Sequence, residues 1–358
     1  MFSLTLFRSV FGFPYSPELP EDERNPGFLD QRKALQWTFD NIEKFGGDPS
    51  KITIMGQSAG GYSVRQLIAN PPEPIPFRAA IMESEAAEGA ILPAGLGDIS
   101  WSTMVESVNC SSSVSQLECV RGVDATALVD AAVNAQLLFA PYVDDKTNSR
   151  SIDSLLRSGK GAQVPILIGS NANDGSYPVG EVNETIFDVL EGWFPGNDTA
   201  QNAILSAFSS IALPVEELIA YVVNQVVFAC PASSLAQSAT DGGHSVWRYE
   251  FAGVFPNTQS FPYAGAYHTS EIPEIFGLYP RAGATQQQIE LSQFMQKAWT
   301  DFIKDPTAGP GWSQYGTSPF NVERLGGDGS PGGTAIKASD IDFACPVIIP
   351  ILERIGYA

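Results

Sequence analysis

A serine hydroxyl is not nucleophilic at neutral pH, so covalent chemistry at serine needs a base beside it and an acid to orient the base. Residues 52–63, "ITIMGQSAGGYS", place Ser58 between Gly56 and Gly60, directly after an apolar run. This is the G-x-S-x-G pattern of a strand-turn-helix elbow. Alone it is common by chance, and a small residue in a tight turn would look the same. The chain has only two histidines, His244 and His268, so the search for a base is short. After an elbow of this kind the partners follow in the order Ser, Asp or Glu, His. In open α/β sheets they sit beyond the carboxyl ends of strands. His244 precedes the run "SVWRYEF", at its wrong end, and reads as a strand-edge histidine. His268 follows that run in a loop rich in Pro, Tyr and Gly, and is the expected base. The expected acid is Asp174, which follows the apolar run of "PILIGSNANDGS", with Gly175 allowing a turn. Asp144 and Asp145 precede that strand and read as turn residues.

These positions depend on elements the pattern predicts. Asn25 can cap a helix that Pro26 opens, with Phe28, Leu35, Phe39 and Ile42 on one face and Gly46 and Gly47 ending it. "KITIM" is short and evenly apolar, hence a strand, and a small-residue helix runs from Ser58 to the "NPP" at Asn70. "FRAAIM", "VPILIGSNA" and "HSVWRYEFA" predict further strands, and "QIELSQFMQKAWTDFIKD" an amphipathic helix. Residues 85–145 and 185–236 read as mainly helical insertions. "LGGDGSPGG" lacks Lys-Ser/Thr and a preceding strand, so a flexible surface loop is expected rather than a phosphate loop. "MFSLTLFRSVFGF" has no basic leader and is broken by Arg8, so it reads as a buried strand and its exit loop, not a signal peptide. Strands separated by helices predict an α/β fold with a mostly parallel sheet. With no internal repeat or linker, residues 1–358 are expected to form a single domain.

A net charge of −20 over 358 residues argues against nucleic acid or an anionic membrane as partner. No run of about eighteen apolar residues points to a membrane span. Cys110, Cys119, Cys230 and Cys345 allow three pairings, and the sequence does not choose among them. With no C-x-x-C and two histidines, a metal site is not expected. The even cysteine count and the sequons at Asn109, Asn183 and Asn197 favour an extracellular setting.

In order and spacing, "NPGFLDQRKALQW", "NIEKFGGDPSKITIMGQSAGG", "FRAAIMES", "PILIGSNANDGS", "GAYHTSEIPEIFG" and "QKAWTDFIKDPTAGPGW" resemble the type-B carboxylesterases of the α/β-hydrolase superfamily, which include cholinesterases and fungal lipases. The likeness is greatest to secreted fungal members, which carry Gln where Gln57 stands. The resemblance implies an α/β-hydrolase with a mostly parallel, doubly wound sheet, hydrolysing small-molecule carboxylic esters through an acyl-enzyme with no cofactor or metal. It makes Ser58 the nucleophile, Asp174 the triad acid, His268 the base and the Ala59 N–H an oxyanion donor. It also pairs Cys110 with Cys119, and sets Cys230 near a family cysteine whose partner varies. Two departures stand out. The family usually has Glu where Asp174 stands, and roughly the first quarter of its pattern, including the first strands and an H-G-G oxyanion loop, has no counterpart. The expectation is an amino-terminally truncated chain that is nearly inactive on simple esters when expressed alone. A non-catalytic relative acting as a binding module is the alternative, and a protease or thioesterase would share the triad. Which ester is cleaved, and the oligomeric state, are left open.

Overall fold

The computed structural model describes residues 9–85, 95–176 and 185–355. The sequon at Asn183 and the apolar start, residues 1–8, lie outside these. The chain folds as two compact units, Met1–Gly46 with Leu92–Arg150, and Gly47–Ile91 with Ser151–Ala358.

In the first unit, Pro26 opens the helix Pro26–Asn41 as expected, but Asn25 does not cap it. Its buried amide instead donates to Tyr142 O at 2.7 Å, to Asp144 Oδ2 at 3.1 Å and to Thr147 Oγ1 at 3.0 Å. Asp144 is a turn residue, accepting from the backbone N–H groups of Lys146, Thr147 and Asn148. Three helices, Leu96–Ser107, Gln116–Arg121 and Ala125–Asn134, fill the described part of the first insertion. Their apolar faces meet around Trp101, Met104, Val105, Leu117 and Leu128. The Cys110–Cys119 disulfide closes the connection between the first two.

Among the described residues, the second unit is built on six strands: β1 (Thr53–Gln57), β2 (Ala79–Glu83), β3 (Ile166–Asn171), β4 (Val246–Phe251), β5 (Val322–Leu325) and β6 (Gly333–Ile336). They lie in sequence order; β1 to β5 are parallel and β6 runs antiparallel. The α/β reading with a mostly parallel sheet therefore holds. β2, β3 and β4 are buried along their whole length, as parallel strands covered on both faces must be. On one face Ile81, Leu167, Trp247 and Tyr249 pack under Leu291, Met295, Trp299 and Phe302 of the long amphipathic helix Gln286–Lys304. On the other, the alternate residue Arg248 of β4 reaches Ala229 O, just before the helix Cys230–Asp241. β1 pairs only with β2 among the described residues and is half-buried throughout.

The second helical insertion comprises Ile186–Trp193, Asp198–Ala207 and a long helix that runs on to Asp241. That stretch, Val215–Asp241, is long and apolar enough to cross a membrane, yet 83% of its apolar window is buried inside the protein. Its core is shared with the helix Cys345–Arg354, which the Cys230–Cys345 disulfide ties to it. The glycine-rich stretch from Leu325 to Gly333 is largely a surface loop, but a strand does precede it, contrary to expectation. It joins β5 to β6 in a hairpin of two four-residue strands, too short to show an apolar run, with Glu323 and Arg324 interrupting the first.

Candidate active site

At the end of β1 the chain turns sharply into the helix Ala59–Ala69. Ser58 occupies the turn with φ 55° and ψ −122°, a conformation that a non-glycine residue holds only when its surroundings enforce it. Its N–H donates to Glu83 O at 2.9 Å, which carries the β1–β2 ladder one residue into the turn. A Cβ on Gly56 would stand 2.2 Å from Gly60 O, so glycine is required where the strand passes beneath the start of the helix. A Cβ on Gly60 would meet nothing within 4 Å. The first helical N–H groups, beginning at Ala59, have no acceptor within the helix and lie at the positive end of its dipole, beside Ser58.

Asp174 and His268 come together beyond the carboxyl ends of β3 and β4. His268 Nδ1–H donates to Asp174 Oδ1 at 2.9 Å, and the other carboxylate oxygen accepts from Asn171 N at 2.6 Å. The two loops are stitched along their length. Asn173 N donates to Ala266 O, Ala266 N to Asn173 Oδ1, and Asn171 Nδ2 to Tyr267 O. Thr269, directly after the histidine, has φ 78°, a strained value for a β-branched residue. With Nδ1 holding the proton, Nε2 of the neutral ring is a base. Gln57, the residue before Ser58, sets its amide nitrogen 3.1 Å from His268 Nε2 and 3.5 Å from Nδ1. Phe228 packs its ring 4.8 Å from the imidazole, centroid to centroid.

Behind this pair lies a buried acidic layer that sequence reasoning missed. Glu271 accepts from Asn171 Nδ2 at 2.5 Å, and its carboxyl is pushed up to about 7, by burial first and then by the charge of Asp174. Glu83, at the end of β2, accepts from Trp299 Nε1 at 2.7 Å and is raised well above the usual carboxylate range by burial and by Glu271. Burial and these acids raise the Tyr249 phenol as well. Burial penalises the charged form of such carboxyls, so they keep their protons to higher pH than an exposed glutamate does. The sequence did hold a hint. A glutamate ending the otherwise apolar "AAIME" is anomalous, and Glu271 follows His268 by three residues.

The other candidate residues are elsewhere. His244 is buried at the opposite end of β4, where Nδ1–H donates to Val164 O at 3.1 Å and burial lowers its pKa. Asn109 is exposed beside the Cys110–Cys119 disulfide. Asn197 is exposed too, and its side-chain oxygen caps the helix Asp198–Ala207 by accepting from Ala200 N. Both disulfides are formed, with no free cysteine among the described residues.

Comparison with known proteins places the chain among esterases and lipases by similarity. Chlorogenic acid esterase of Aspergillus niger is 31% identical over 321 residues, which cover 87% of this chain and 56% of that protein. Secreted lipase 5 of Gibberella zeae is 29% identical over 87% of this chain and 58% of its own length. For the para-nitrobenzyl esterase of Bacillus subtilis the figures are 29%, 85% and 64%. The chain thus spans roughly three-fifths of the length of these relatives. The model of the carboxylesterase family matches residues 9–343, nearly the whole chain. That family implies an α/β-hydrolase sheet, as seen here, and this chain belongs to the carboxylesterase family.

Proposed function

We propose that this chain carries the catalytic machinery of a serine hydrolase acting on small carboxylic esters. Ser58 Oγ attacks the acyl carbonyl while His268 Nε2 takes its proton. Asp174 fixes the Nδ1–H tautomer and stabilises the imidazolium that forms. The carbonyl oxygen becomes an oxyanion, to which the Ala59 N–H donates. One such donor is worth about 10²–10³ in rate, because it acts only as the charge develops. The imidazolium then delivers its proton to the leaving alcohol. Water activated by the same nitrogen attacks the acyl-serine and releases the acid. Aspartate in the orienting role suits this loop, since Asp174 Oδ2 is already held by Asn171 N and Oδ1 faces the imidazole.

The observation that carries the reading is the 2.9 Å Asp174–His268 bond at the strand ends that also present a strained serine. Names of the relatives, esterases and lipases, point to the same bond type as substrate. The two disulfides and the exposed sequons at Asn109 and Asn197 support an extracellular site of action, with both asparagines glycosylated.

The test is turnover of p-nitrophenyl butyrate by His268→Ala and His244→Ala in the protein as its gene encodes it. The reading requires His268→Ala to abolish turnover and His244→Ala to leave it largely intact. Full activity in His268→Ala would overturn the assignment. A correctly folded wild type that neither turns over nor is acylated by activated esters would favour a non-catalytic binding module.

A further inference from the structure

The long helix Val215–Asp241 is not regular throughout. Between Val223 and Cys230 it widens into a π turn, Asn224–Ala229, and every residue of that turn is buried. Such widenings weaken the helical ladder and recur where a functional site needs the displaced backbone.

Both sides of the turn are anchored. Towards the sheet ends, a Cβ on Gly175 would meet Ala220 O at 2.0 Å and Asn224 N at 2.6 Å, so the loop carrying Asp174 rests directly on the helix backbone. Asn224 Nδ2 donates to Ala172 O of the same loop at 2.9 Å. Phe228, one turn further on, lays its ring 4.8 Å from His268, tilted by 40°. Away from the site, Gln225 Nε2 donates to Ile341 O at 3.0 Å. Arg248 Nη2 holds Ala229 O, and Cys230 is bonded to Cys345. One short segment thus touches the loop of the acid and the ring of the base, and is pinned from behind.

We infer that Phe228 is a positioning residue for His268: the π turn presents its ring so that the imidazole keeps Nδ1 towards Asp174 and Nε2 towards the elbow serine. The inference rests on the proposal that His268 is the general base. An imidazole hydrogen-bonded at one nitrogen can still swing about its χ angles, and a packed aromatic ring removes that freedom. Displacements of about 1 Å in catalytic geometry cost on the order of 10²-fold in rate, so a loosened base should be felt in kcat rather than in KM.

The experiment compares Phe228→Ala and Phe228→Leu with Val227→Ala, a change in the same turn and the same helical core, at a side chain with no ring to lay against His268. Expected for Phe228→Ala is a kcat lower by about 10- to 100-fold with KM nearly unchanged, and for Phe228→Leu a smaller loss. The low-field proton resonance of the His268–Asp174 hydrogen bond should broaden in both, and persist in Val227→Ala along with kcat. If Phe228→Ala does not fold, Phe228→Leu, which keeps most of the buried volume, is read alone. An unchanged kcat and a sharp low-field resonance in the folded Phe228 variants would overturn the inference. So would an equal loss of kcat in Val227→Ala, which would reduce the effect to helix stability. His268→Ala, run in parallel, separates the two claims: if it is inactive while the Phe228 variants are normal, the base stands and its positioning by Phe228 does not.

Discussion

Gln57 touches both nitrogens of the His268 ring at similar distances, 3.1 Å to Nε2 and 3.5 Å to Nδ1. An atom so placed lies over the face of the ring and not along the in-plane lone pair of Nε2. Replacing Gln57 by Glu keeps the shape and puts a negative charge at that contact. Two unit charges about 4 Å apart interact by about 1 kcal/mol in water and about 4 kcal/mol at an effective dielectric of 20. Gln57 is half-buried and His268 is nearly covered, so a value between these limits applies, about 1–3 kcal/mol, or about 1–2 pH units. The carboxylate favours the imidazolium, so the neutral base is lost at a higher pH as the solution is acidified. The acid limb of kcat/KM for p-nitrophenyl butyrate should therefore move up by about 1–2 units in Gln57→Glu. High salt should shrink the displacement, since part of the charge is exposed to screening. A limb that stays in place, or moves to lower pH, would refute the contact between Gln57 and the base.

Two further substitutions probe the framework. Glu271, pushed up to about 7, keeps its proton in the fold over a pH range where the unfolded chain has released it. The fold therefore loses stability as pH rises from the unfolded value, about 4.3, through 7, and the loss stays constant above that. Glu271→Gln mimics the protonated acid, so it should gain on the order of 3–4 kcal/mol relative to wild type near pH 8 and almost nothing near pH 4. Urea midpoints at the two pH values check this, and an identical difference at both would contradict it. Gly56→Ala should lower both stability and turnover, because its Cβ would press on Gly60 O at 2.2 Å, a backbone atom that cannot step aside. Overpacking of this kind costs about 1–3 kcal/mol or more. Gly60→Ala faces open space and should be mild, and equal effects on melting temperature would count against the elbow geometry.

Much of the site follows from local pattern because its parts sit at the ends of apolar strands. The elbow serine lies between an apolar run and a small-residue helix, and two histidines leave little choice of base. Strand position then separates His268, at the carboxyl end of β4, from His244 at the other. Other features depend on residues far apart in the chain and leave no local mark. Phe228 meets His268 from a helix 40 residues earlier, and Trp299 reaches Glu83 across 216 residues. Asn25 stands at a capping position by every local rule, yet its side-chain oxygen accepts from Tyr142 N instead, while its amide nitrogen donates into the turn around Asp144. β5 and β6 were missed because hairpin partners of four residues, with Glu323 and Arg324 in one of them, carry no apolar period.

Acylation of Ser58 is the central claim, and trapping the acyl-enzyme tests it most directly. The protein is mixed with p-nitrophenyl butyrate, quenched in acid before deacylation, digested and read by mass spectrometry. A butyryl group on Ser58, absent in Ser58→Ala and strongly reduced in His268→Ala, is the predicted result. Butyryl on a different residue, or ester turnover at the wild-type rate in Ser58→Ala, would contradict the account.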